Sequence, residues 1–182
     1  MYTLSYMRFT DPAKNIAKLG LTDGMMVADF GAGTGVYTMA VADKVGSRGA
    51  VYAVDVQQDL LSKIKNQAIE NKYEHVDTLW ADIDEVNGVN LKDELLDAVI
   101  LSNTLFQLEK KENTVGEIKR VLKKGGKLLL IDWSEAFGGI GPHPVCVVTK
   151  ESAKNLFESA EFSVDDDFDA GAHHYGFIFK KQ

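Results

Sequence analysis

Asp29-Phe30-Gly31-Ala32-Gly33-Thr34-Gly35, Asp55, Asp82 and Asn103 are the residues whose types and spacing could do chemistry. Three glycines stand on alternate positions between an apolar run ending in Val27-Ala28 and a helical pattern that opens with Val36, Met39, Ala40 and Val41. A strand that turns through glycines into a helix lets a ligand approach the backbone, and the helix N-terminus offers it unpaired N–H groups. Asp55 closes the strand-like run Ala50-Val51-Tyr52-Ala53-Val54-Asp55, 20 positions after Gly35 (55 − 35). In a βαβ unit its carboxylate stands beside the glycine turn and can accept from both hydroxyls of a ribose. The same acid can also cap the next helix. Asp82 follows a third strand-like run. There it is either a solvated turn residue or a partner for an adenine amino group, with Val56 or Ile83 against the ring. Asn103 follows the most strand-like run, Leu95 to Leu101, at the sheet edge where open α/β folds keep their ligands. It either ends the strand or presents its backbone carbonyl and amide to a ligand.

The glycine spacing argues against a dinucleotide. That fingerprint, Gly-x-Gly-x-x-Gly, needs glycine at 36, which is Val36. Other reactive side chains are sparse. His143 lies between Pro142 and Pro144 in a glycine- and proline-rich loop, Ser134 to Val148, and is a candidate base that in most proteins would simply be exposed. His173 and His174 open the last strand and read as structural. Cys146 is the one cysteine, which excludes an internal disulfide or a multi-cysteine metal site; it reads as a small buried side chain. Asp165-Asp166-Asp167 is a solvated strand edge, because alternate strand residues face opposite ways and cannot together hold a metal.

The elements that must position these residues alternate along the chain. Asp11-Pro12 starts a helix that Gly20 ends. Tyr2, Tyr6, Arg8 and Phe9 ahead of it fit either a frayed terminus or a lid over a ligand. Met25 to Phe30 is expected as a strand, Val36 to Val45 as a helix, and Val56 to Asn71 as a helix with Leu60, Leu61, Ile64 and Ala68 inward. His75 to Trp80 is a strand. Leu95 to Leu101, apolar throughout, belongs at the sheet centre. Val115, Ile118, Val121 and Leu122 mark a helix stopped by Lys123-Lys124-Gly125-Gly126. Lys127 to Asp132 is the fifth strand, and Thr149 caps a last helix. Phe162 to Phe168 and His173 to Lys180 form an antiparallel hairpin around Asp169-Ala170-Gly171-Ala172.

A chain of 182 residues is long enough to bury a sizeable core as one domain, residues 1–182, with 1–20 as an N-terminal lid or helix segment. No run of 18 apolar residues occurs, so no membrane span is expected. The opening residues lack a secretory pattern, and a cytoplasmic location is the default. A net charge of −7 disfavours a broad nucleic-acid footprint. The oligomeric state is not legible.

Asp29 to Gly35, Asp55, Asp82, Leu95 to Asn103 and Glu117-Ile118-Lys119-Arg120-Val121-Leu122-Lys123-Lys124-Gly125-Gly126 together resemble the S-adenosylmethionine-dependent methyltransferases with a Rossmann-like fold. The likeness extends to the small enzymes grouped with ubiquinone and menaquinone biosynthesis. It implies a doubly wound, seven-stranded, mostly parallel sheet with an antiparallel last strand, S-adenosylmethionine as cofactor and a small-molecule acceptor. On that resemblance Gly31, Ala32, Gly33 and Gly35 line the methionine part, Asp29 lies near its ammonium, Asp55 holds ribose, and Asp82 the adenine. Val56, Ile83 and Asn103 complete the cofactor set. Lys124 replaces a proline common in the family, and Thr104-Leu105-Phe106 stands where a histidine is common, which leaves no general base identified. No Asn-Pro-Pro-Tyr-like motif follows strand four, which disfavours amino methylation of nucleobases. The rival readings are a non-catalytic S-adenosylmethionine-binding scaffold and an NAD-dependent oxidoreductase.

Overall fold

The computed structural model describes residues 10–137, 139 and 141–182. Tyr2, Tyr6, Arg8 and Phe9 lie outside them. Seven strands form one sheet: β1 Met26–Phe30, β2 Ala50–Asp55, β3 Val76–Trp80, β4 Leu96–Ser102, β5 Leu122–Trp133, β6 Phe162–Gly171 and β7 His174–Lys181. Their spatial order is β3-β2-β1-β4-β5-β7-β6. The first five run parallel, and β7 is antiparallel to both β5 and β6. The strand order reverses between β1 and β4, and such a switch point opens a crevice at the carboxyl ends of the strands. That crevice is where the glycine turn, Asp55 and Asn103 emerge.

Among the described residues five α-helices cover the sheet: α1 Pro12–Ala17, α2 Val36–Val45, α3 Gln58–Glu70, α4 Lys111–Val121 and α5 Lys150–Glu158. The period-two alternation of each strand sorts the core into two layers. On one face Ala28, Phe30, Val99, Leu101, Leu128, Leu130, Phe177 and Phe179 pack with Val115 and Ile118 of α4 and Phe157 of α5. On the other, Val27, Val51, Ile100, Leu129, Ile131 and Ile178 pack with Ile16 of α1 and Val41 and Val45 of α2. Phe157 stacks on Phe179 with ring centroids 4.9 Å apart. Truncating such a buried phenylalanine costs roughly 3–5 kcal/mol. Capping follows the sequence pattern: Asp11 accepts from Lys14 N–H at 3.3 Å, and Thr149 from Ser152 N–H at 3.1 Å.

Several boundaries differ from the sequence reading, each for a physical reason. α4 ends at Val121 and the chain passes directly into β5, because Leu122 already pairs with Leu96. Lys123 to Gly126 then bulge, with Gly125 at φ +76°, before pairing resumes between Ala98 and Lys127. α3 starts at Gln58 rather than Val56, since Asp55 Oδ1 accepts the Gln57 N–H at 2.9 Å and holds it outside the helix. The terminal hairpin is tighter than expected: Ala172 and His173 alone separate β6 from β7, with His173 at φ +62°. Cys146 is exposed, not buried, in a 3₁₀ turn, Pro144–Cys146. The three consecutive aspartates of β6 each meet a lysine: Asp165 with Lys127, Asp166 with Lys18, and Asp167 with Lys150. Among the described residues no group of acids, histidines or cysteines could hold a metal ion. Nor is any helix among them long and apolar enough to cross a membrane.

Candidate functional site

A cavity of about 790 Å³ opens at the carboxyl ends of β1 to β4. Asp29, Gly31, Ala32, Gly33, Asp55, Val56, Asp82, Ile83 and Asn103 all border it, together with Tyr37, Ser102 and Gln107. Gly35 does not. It is the N-cap of α2, and a Cβ there would meet Ile64 of α3 at 2.7 Å. A glycine is needed there for the packing of α2 against α3. Gly31 borders the cavity, but a Cβ on it would strike Thr104 at 2.5 Å. Gly33, at φ +54°, has only the Gly31 carbonyl oxygen near its Cβ position, at 3.9 Å. Of the three glycines, Gly33 is the one that presents open backbone.

Asp55 fixes that backbone. Its Oδ2 accepts the Gly33 N–H and its Oδ1 the Gln57 N–H, both at 2.9 Å. Each carboxylate oxygen carries more than one acceptor site, so both can still take a hydroxyl from a ligand. Asp29 is buried and takes a hydrogen bond from the Thr38 hydroxyl at 2.6 Å. Burial pushes its carboxyl up to about 6, partly offset by Thr38. Tyr37 accepts from Asn15 Nδ2 at 3.3 Å, and the same amide donates to the Ala170 carbonyl at 3.2 Å. One buried asparagine thus ties α1 to both the cavity wall and β6.

The wall beyond β3 is built from α4. Thr114 donates to the Ile83 carbonyl at 3.0 Å, and Asn113 to the Asp84 carbonyl at 2.8 Å. Asp84 accepts the Glu109 N–H at 2.8 Å, and Asp82 Oδ1 accepts the Asp84 N–H at 2.9 Å. Behind them Glu117, buried, accepts from Asn87 and Val89 and pairs with Arg120 at 2.8 Å. Arg120 in turn donates to the carbonyls of Val89 and Leu91. Residues 82–91 are thereby held from within, and Asp82 keeps an exposed carboxylate at the rim. Sequence reasoning missed this clamp, whose partners lie about 30 positions away.

Asn103 departs from expectation in detail. Its N–H donates to the Ile131 carbonyl at 2.9 Å, and its own carbonyl accepts from Gln107 at 2.9 Å. The amide N–H is therefore committed to the protein, while the carbonyl keeps a second lone pair and the buried side-chain Oδ1 stays unpartnered. Asp132, fully buried, accepts the Phe106 N–H at 3.1 Å and so fixes the 3₁₀ turn Leu105–Gln107 after β4. Desolvation raises its carboxyl to about 6. His143 is exposed and does not border the cavity. The sequence signal for Asp132 was only a strand-terminal acid.

Fold and cavity define a Rossmann-like methyltransferase, and the comparisons with known proteins agree. Residues 21–164 match the family described as a methyltransferase domain. The chain belongs to that family. S-adenosylmethionine is the methyl donor of this class and the cofactor here. A solved S-adenosylmethionine-dependent methyltransferase from Aquifex aeolicus is 27% identical, with a TM-score of 0.87, covering 98% of this chain and 94% of that one. Ubiquinone/menaquinone biosynthesis C-methyltransferase UbiE from Hydrogenovibrio crunogenus is 28% identical over 120 residues, 64% of this chain and 45% of that protein. The protein of the same name from Hahella chejuensis is 28% identical over 131 residues, 71% and 49% respectively. The chain spans about half the length of these curated relatives.

Proposed function

We propose that this chain transfers a methyl group from S-adenosylmethionine to a small-molecule acceptor, with the donor lying across the carboxyl ends of β1, β2 and β4. The observation that carries this reading is the grip of Asp55 on Gly33 at the floor of the cavity, with Asp29, Asp82 and Asn103 on the same rim. The cavity volume is of the order of ordinary cofactor and ligand sites, ~300–1,000 Å³. In this reading Asp55 accepts the ribose hydroxyls and Asp82 the adenine amino group, with Ile83 and Val56 along the ring. Asp29 faces the ammonium, and the open backbone at Gly33 follows the methionine chain.

Bound there, the cofactor supplies an electrophilic methyl on a sulfonium centre. The chain's own task is then to orient the acceptor and keep water out, and orientation alone can lower the barrier by roughly 7–11 kcal/mol. The C-methyltransferase name of the curated relatives supports carbon as the acceptor atom. Calorimetry with S-adenosylmethionine and S-adenosylhomocysteine tests the reading: micromolar binding by the wild type is expected, and no binding by folded protein overturns it. Release of S-adenosylhomocysteine with candidate acceptors, followed by mass spectrometry and NMR of the product, separates a methyltransferase from a binding-only scaffold and locates the new methyl.

A further inference from the structure

Two carboxylates of the loop after β3 border the cavity, Asp82 and Asp84, and the chain uses them differently. Asp84 is occupied from within. Its Oδ2 accepts the Glu109 N–H at 2.8 Å, and its Oδ1 lies 3.0 Å from the Thr114 hydroxyl. Asp82 takes one hydrogen bond, from the Asp84 N–H to its Oδ1 at 2.9 Å. Its side chain is exposed, and Oδ2 meets no hydrogen-bond donor among the described residues.

The direction of that free oxygen is set from α4. Neither Asn113 nor Thr114 borders the cavity, yet both grip the backbone around the Asp84 N–H. The Thr114 hydroxyl, fully buried, bridges Asp84 Oδ1 and the Ile83 carbonyl, each at 3.0 Å. That carbonyl belongs to the same peptide unit as the Asp84 N–H, and a planar peptide held at its oxygen is held at its nitrogen. Asn113 Nδ2 donates to the next carbonyl, of Asp84, at 2.8 Å. The fixed N–H then turns the Asp82 side chain, as in an Asx turn. Behind it the Asp82 carbonyl packs so closely on Gly88 that no side chain fits there.

We propose that Asn113 and Thr114 are positioning residues for base selectivity: through the Ile83–Asp84 peptide they aim Asp82 Oδ2 as an acceptor that admits a 6-amino purine and rejects a 6-oxo purine. This rests on the cofactor reading above, in which Asp82 meets the adenine amino group. A carboxylate oxygen only accepts, so an exocyclic N–H satisfies it, whereas a base carbonyl meets it lone pair to lone pair. The relay also dictates how an amide would sit at position 82. Because the Asp84 N–H donates, the amide must turn its oxygen there and offer its NH2 to the base.

Calorimetry with S-adenosylhomocysteine and S-inosylhomocysteine, which carry amino and oxo groups at purine position 6, reads the relay as a ratio of affinities. Wild type should prefer the adenosyl form by about 100-fold, and Asp82→Asn should reverse the preference to about 3-fold for the inosyl form. Thr114→Val should cut the wild-type ratio to about tenfold and, combined with Asp82→Asn, erase the reversal; Thr114→Ser should keep both. Equal weakening of both ligands by Thr114→Val leaves the ratio unchanged and overturns the positioning role, since a merely structural residue would act in that way. A wild-type ratio near 1, or an adenosyl preference kept by Asp82→Asn, overturns the aim assigned to Asp82. Should Thr114→Val not fold, Asn113→Ala decides: about a 3-fold cut in the ratio supports the relay, and none overturns it. Wild type that binds neither ligand overturns the cofactor reading instead.

Discussion

The two ends of the sheet rim treat their polar groups in opposite ways. On the β2–β3 side each acid is answered from within the chain: Asp55 by Gly33 and Gln57, Asp84 by Glu109 and Thr114, Glu117 by Asn87, Val89 and Arg120. On the β4–β7 side Ser102, Asn103, His174 and Tyr175 each keep a buried atom without a partner. The first arrangement is rigid before any ligand arrives, which suits a cofactor that never changes. The second leaves hydrogen-bonding capacity that the described residues do not use.

Asp55→Ala should break the first side most severely. It removes the carboxylate that fixes Gly33 and strands two N–H groups, so S-adenosylhomocysteine affinity should fall by about 100-fold in calorimetry. A loss of less than tenfold would mean that the glycine turn holds its shape without Asp55. Gly31→Ala comes next, combining a Cβ at φ +70° with a collision against Thr104. Urea unfolding should show a loss of about 2–3 kcal/mol, with Gly31→Ala/Thr104→Gly recovering the steric part and leaving the backbone strain.

Acidity sharpens the comparison through Asp29. With its carboxyl raised to about 6, the anion that faces the ammonium in the proposed binding mode is lost as pH falls through that value. S-adenosylhomocysteine affinity should then drop by up to about tenfold per pH unit below 6, and Asn at position 29 should flatten that profile. Stability responds with the opposite sign. Asp29 and Asp132 hold their protons to about 6 in the folded state and release them near 4 when unfolded. Their contribution is therefore full below pH 4 and lost as pH rises from about 4 to 6, by up to about 3 kcal/mol per carboxyl. Asp132→Asn should flatten that slope in urea titrations at pH 4.5 and 7. The smallest effect belongs to the far side: Glu135→Gln disrupts an exposed pair with His173 and should cost less than ~1 kcal/mol, with cofactor affinity unchanged.

The fold was legible because apolar periodicity is local: α2 and β2 begin and end where their patterns do. So was the convergence of Asp29, Gly33, Asp55, Asp82 and Asn103 on one cavity, since most of them sit at the ends of those same strands. Gly35 shows what a glycine motif leaves open, because a glycine kept for packing against Ile64 has the same spelling as one kept for a ligand. The α4–β5 boundary misled because Leu122 is claimed by Leu96, 26 positions back, over the helix its pattern suggests. The buried, unpartnered Nε2 of His174 was not legible, because no sequence pattern records a missing partner.

The position of β7 has a consequence for how the protein is made. Among the described strands it is the last to leave the ribosome, yet it lies between β5 and β6 rather than at the rim. Until it arrives, β5 offers an open edge whose residues Leu128 to Ile131 are fully buried in the finished protein. Such an edge is a template for pairing with other chains. A chain halted after β5 would therefore already contain every residue that lines the cavity, with the Leu128 to Ile131 edge uncovered.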